Sequence, residues 1–231
     1  MAIDQLSPHY QDAAVSTETR NRVLRNTYGL LALSMIPTVI GAWVGIATRF
    51  SLFAGSPAIS FIAFLAIAWG FMFAINRYKN SSTGILLLLG FTFFMGLMLS
   101  RLLGYVLGMA NGTSLVMMAF GSTAVIFGVM ATIATVSKRD FSGMGSWLFV
   151  GMIVILLAAF ANIFLQIPGM MLAISALATV LFSLYILFDL NRIVTGGETN
   201  YVMATLSVYI SLYNVFSNLL ALFGIGDGSN D

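Results

Sequence analysis

Residues 144–165 read MGSWLFVGMIVILLAAFANIFL, a run without one charged side chain, in which only Ser146 and Asn162 are polar. Wound as a helix at 1.5 Å per residue it extends about 33 Å, enough to cross the roughly 30 Å hydrocarbon core of a bilayer. Its apolar residues do not alternate with polar ones over about ten positions, as the strands of a membrane barrel do, so β-structure is excluded.

Six more runs of the same kind flank it, at 23–47 (containing Pro37), 57–75, 84–107, 114–136, 169–189 and 202–223. Over all 231 residues 59% are apolar and 8% charged, where a soluble domain averages about 45–50% and about 25%. Ten basic and eight acidic residues cannot clothe a water-soluble core. The expectation is an all-α, polytopic membrane protein with seven transmembrane helices. A polar N-tail at 1–22 precedes the membrane domain at 23–225, and a short C-tail follows at 226–231. The first apolar run is too long for a secretory signal and no small-residue cleavage site follows it, so no signal peptide is expected. Composition reads 1–22 as a solvated, mostly disordered tail; the sharper alternative is a handle for a cytoplasmic partner.

Several kinds of chemistry are excluded by count. There is no cysteine, hence no disulfide, thiolate zinc site, iron–sulfur cluster or cysteine nucleophile. The one histidine, His9, lies in the polar tail, which leaves no Ser–His protease and no imidazole metal cluster in the membrane. Lys79 and Lys138 fall between the apolar runs, so no span offers a retinal Schiff base. With no nucleophile–base pair, phosphate loop or metal cluster, neither an enzyme nor a cofactor is expected. A net charge of +2 gives no reason to expect nucleic acid.

Basic residues collect at alternate ends of the runs. Arg20, Arg22, Arg25, Arg77, Lys79, Lys138, Arg139 and Arg192 fall on one side, and only Arg49 and Arg101 on the other. The positive-inside rule then predicts a cytoplasmic N-terminus and a periplasmic C-terminus. No internal repeat supports an inverted-repeat transporter. GAWVG at 41–45 and GYVLG at 104–108 are GxxxG patterns, which allow close helix approach in lipid and are read here as contacts within one chain.

Polar groups inside spans are costly, and so informative. Ser207, Ser211, Asn214 and Asn218 in the seventh run fall at i, i+4, i+7 and i+11, a stripe about 60° wide at 100° per residue; Tyr209 and Tyr213 flank it. Such a stripe reads either as hydrogen bonding between helices or as a polar pathway. In the sixth run Ser175, Thr179 and Asp189 share a face. Asp189 sits near the cytoplasmic end, where a carboxylate opposes the helix dipole and Arg192 suits it. It reads either as half of a surface ion pair with Arg192 or as an ion- or proton-responsive group facing the bundle, a weak calcium candidate. Asn162 and Gln166 close the fifth run before Pro168, and TGGETN at 195–200 is a glycine turn. Its Glu198 reads as a solvated acid or as a second oxygen ligand near Asp189. Arg101 is expected to snorkel to the outer interface.

The segments VLRNTY at 23–28, ANIFLQ at 161–166, AIS at 173–175, GGETNY at 196–201 and SLYN at 211–214 carry a resemblance that covers nearly the whole chain. In them the sequence resembles the Bax-inhibitor family (the transmembrane Bax-inhibitor-motif proteins), and within it the bacterial YccA-like branch. The resemblance implies six helices around a central seventh. It further implies, from members that act as pH-sensitive calcium leak channels, an aspartate pair on the last two helices near the cytoplasmic mouth. Asp189 matches the first member, and the second position falls on Ser211. The branch implies a different role, modulation of the membrane-bound FtsH protease by direct association in the bacterial inner membrane, with the N-tail as a segment the protease could grip. The partners so implied are FtsH, the lipid bilayer and, on the alternative reading, Ca2+ or H+.

Overall fold

A computed structural model describes residues 8–52, 56–137 and 139–227. Among the described residues there are seven α-helices and no strand: α1 (Pro8–Ala47), α2 (Pro57–Tyr78), α3 (Ser82–Leu107), α4 (Gly112–Val136), α5 (Gly145–Leu165), α6 (Pro168–Val194) and α7 (Tyr201–Asp227). Each contains a segment long and apolar enough to cross a membrane, so the chain is a multi-pass membrane protein of the expected class. Residues 1–7 of the polar tail, 228–231 of the C-tail and Lys138 lie outside the described residues.

The helices outrun the apolar runs that announce them. α1 begins at Pro8, within the segment read as a disordered tail, and α6 passes Asp189 to end at Val194. Hydropathy marks where lipid ends, whereas a helix ends where its terminal N–H and C=O groups find other partners. Those partners are visible. The Ser56 hydroxyl accepts from Ile59 N–H at 3.4 Å, with Pro57 in the first helical position of α2. α5 closes on Gln166, whose φ of 51° is left-handed, and the Asn162 side chain accepts the Ile167 N–H at 3.1 Å. Asn162 and Gln166 are thus a helix stop.

α1 closes on a Schellman turn. Phe50 N–H reaches the Gly45 carbonyl at 2.8 Å and Arg49 N–H the Ile46 carbonyl at 3.2 Å. This puts Arg49 at φ 51° in the position that glycine usually fills. A side chain there costs roughly 1 kcal/mol.

Successive spans give the bundle two faces, an N face where α1 enters and a C face where α7 ends. α7 packs on α1, α2, α3, α4 and α6, more of the other α-helices than any of them touches, while α5 packs on α2 and α6 at the edge. The seventh helix is central as expected, with α5 reaching it only across a pocket. The tightest seam joins α1 to α3. A Cβ on Gly41 would collide with the Phe93 carbonyl, and one on Gly96 with the Thr38 carbonyl. The first GxxxG pattern is therefore spent inside the chain. The second is not used this way: a Cβ on Gly104 would meet only Ile46, at 3.8 Å. Outside, Trp43, Trp69, Phe73, Phe120 and Trp147 stand exposed, a surface that water would disfavour and lipid tails accept.

Candidate functional site

The polar residues of α6 and α7 meet at one place near the N face. Asp189, 8% exposed, receives a hydrogen bond at 3.3 Å from the hydroxyl of Ser211, which is 3% exposed. Both line a pocket of about 160 Å³ together with Ser207, Tyr185, Phe182 and Met152 of α5. An isolated carboxylate is expensive to bury unless hydrogen-bonded, and the hydroxyl one helix away supplies the bond.

Arg192 does not turn toward Asp189. Its Nη2 lies 3.7 Å from Oε2 of Glu198, and its guanidinium carbon sits 5.6 Å from the centre of the Phe188 ring. Glu198 also accepts the Asn200 N–H at 2.9 Å, so this carboxylate serves the turn and the arginine beside it. Among the described residues no three His, Cys, Asp or Glu side chains gather as a metal site.

The two asparagines of the stripe on α7 bond to their own helix. Asn214 Nδ2 donates to the Ile210 carbonyl and Asn218 Nδ2 to the Asn214 carbonyl, both at 2.8 Å. On α6 the Thr179 hydroxyl donates to the Ser175 carbonyl at 2.8 Å in the same way. Back-bonding of this kind satisfies a polar group in lipid without a second helix. Further bonds between helices come from the flanking tyrosines. Tyr209, 1% exposed, shares a hydrogen bond of 2.8 Å with Thr38 of α1 and donates to the Thr92 carbonyl of α3 at 3.4 Å. Tyr213 donates to the Met95 carbonyl at 3.1 Å.

Above the pocket, three side chains that spacing did not single out fix the N face. Asn191, 1% exposed, accepts the Phe141 N–H at 2.9 Å and donates to the Arg139 carbonyl at 3.2 Å. Asn200 accepts from Val202 and Met203 N–H, both at 3.1 Å, capping α7, and donates to Asn80 Oδ1 at 2.7 Å. Arg20 donates to the Val194 carbonyl at 3.1 Å. The one available signal was a buried-looking Asn in the last turns of an apolar helix. In the exposed loop between α4 and α5, the Asp140 carboxylate is held below its ordinary value, chiefly by the Ser142 backbone N–H at 2.8 Å.

A family model described as "Inhibitor of apoptosis-promoting Bax1" matches residues 20–228. The chain belongs to the Bax-inhibitor family. Among Bax-inhibitor relatives, the modulator of FtsH protease YccA from Escherichia coli K12 is 38% identical over 94% of this chain and 95% of its own. A protein from Neisseria meningitidis serogroup A is 37% identical over 90% and 93%. A membrane protein from Vibrio cholerae is 37% identical over 89% and 90%. None of these Bax-inhibitor relatives is named as an enzyme.

Proposed function

We propose that this protein is an inner-membrane modulator that restrains a membrane-bound FtsH-type protease by direct association. The observation that carries the reading is the end-to-end likeness to the E. coli protein named as a modulator of that protease. The eight basic residues toward the N face support a cytoplasmic N-terminus, on the side where α1 extends beyond its apolar run. A helix projecting from a face stitched by Asn191, Asn200 and Arg20 offers a protein partner a surface rather than a loose end. The test is overproduction in cells that carry the protease, following decay of one of its membrane substrates and co-purification from mild detergent. Slower decay with recovery of the complex is expected. Decay at the normal rate, with the protein shown to be inserted, sinks the reading. Deleting residues 1–20 should change the protein's own turnover if that segment is the one engaged.

The second reading is a cation leak pathway gated at Asp189. The pocket that gathers Asp189, Ser207 and Ser211 favours it. A single carboxylate with hydroxyl neighbours falls short of the six to eight oxygens calcium takes, which ranks it second. Calcium-loaded liposomes carrying wild type and Asp189→Asn distinguish the two. Flux that depends on Asp189 supports gating, and equal flux removes it.

A further inference from the structure

Arg49 and Arg101 lie 52 positions apart, and they are the only basic residues that the sequence puts toward the C face. The fold brings both to one pocket of about 330 Å³ between the ends of α1 and α3, with Ser51 and Ser100 in its wall. Arg101 sits six residues before the end of α3, about 9 Å down the helix, and lines the same pocket. Arg49 holds its place from the left-handed position of the Schellman turn, where glycine would be easier.

Among the described residues no carboxylate lines this pocket. Glu18, Asp140, Asp189 and Glu198 belong to the N-face half, and Asp227 ends α7 on the C face. The contrast with Arg192 is direct, since that guanidinium has Glu198 and the Phe188 ring. Two arginines in one small pocket repel each other unless an anion lies between them. Guanidinium forks match the oxygens of a phosphate bidentately, and hydroxyls such as Ser51 add donors. Gly104 leaves the pocket open beside α3, where a Cβ would meet only Ile46, while Gly45 sits close against Ser100. The adjoining surface is apolar, with Trp43, Ile46, Tyr105 and Leu107 exposed, which suits acyl chains below a headgroup.

We propose that this pocket binds a phosphate group held between Arg49 and Arg101, supplied by a phospholipid headgroup or by free phosphate. The protein is purified in a neutral detergent, stripped of lipid, and titrated separately with phosphatidylglycerol and with inorganic phosphate at constant ionic strength. Binding is read by native mass spectrometry and thermal shift. Wild type is expected to bind one of the probes about tenfold or more tighter than R49Q/R101Q does; which probe does so identifies the source. R49K/R101K keeps the charge and loses the forks, and should fall between. R49G relieves the left-handed residue, so it should melt no lower than wild type while binding more weakly, which separates ligand loss from misfolding. Equal binding by wild type and R49Q/R101Q, no binding of either probe to wild type, or an equal loss in the N-face control R25Q/R77Q would overturn the proposal.

Discussion

Ser211 donates its hydroxyl to Oδ2 of Asp189 across 3.3 Å, so the buried carboxylate of α6 is tied to α7, while Arg192 pairs with Glu198. The bond joins two neighbouring helices of the bundle at the level of the pocket.

Removing the donor should therefore cost more than changing the acceptor. Ser211→Ala is expected to lower stability by about 1–3 kcal/mol, because a buried acceptor loses its partner. Asp189→Asn, whose amide oxygen can still accept, should cost less. Reversible unfolding in mixed micelles measures both, and the reverse ranking would remove this bond from the account of the site.

The seam between α1 and α3 has no room for side chains. Gly96→Leu is expected to destabilise by at least about 2 kcal/mol through forced separation of the helices, as is Gly41→Leu. Gly104→Ala, which meets ordinary contact only, should be nearly neutral in the same unfolding assay.

Asn200 performs two jobs that can be separated. Asn200→Ala loses the cap of α7 and the clip to Asn80, at about 1–2 kcal/mol. Asn200→Asp keeps the oxygen that caps Val202 and Met203 but loses the donor. It should retain most of the stability while the loop between α2 and α3 becomes faster to exchange its amide hydrogens.

The loop carrying Asp140 should respond to acid. Its carboxylate is held below the ordinary 3.8 by the Ser142 N–H. The contribution is thus fully present above that value and is lost as pH falls through the lowered one. Amide exchange at Ser142, corrected for its intrinsic pH dependence, should quicken only on that acid side; a change centred near neutrality would point to another group.

The spans were legible because lipid imposes one requirement on every outward side chain. The runs at 114–136 and 144–165 match α4 and α5 to within a turn. Helix ends were less legible, since polar residues such as Asn191 and Arg192 continue a helix perfectly well once it leaves the hydrocarbon. The stripe of α7 was placed on one face, but spacing cannot tell a serine that bridges helices from an asparagine that folds back on its own carbonyl. Ser211 does the first and Asn214 the second. Nor could it separate an Asp189–Arg192 pair from the Arg192–Glu198 pair that forms, because one acid is a helical turn before the arginine and the other lies in the loop just after it. The meeting of Arg49 with Arg101 depends on how α1 and α3 pack, and no local pattern records that.

The order of the helices along the chain has a consequence for biogenesis. α7 follows the other six, yet five of them rest against it. While those six are being threaded into the bilayer, the hydroxyl of Thr38 and the carbonyls of Thr92 and Met95 wait for tyrosines still inside the ribosome or the translocation channel. Until then the groups that α7 will bond line an empty slot in the nascent bundle. The last span thus arrives as a keystone, and the membrane insertion machinery must keep the six earlier spans together until it does.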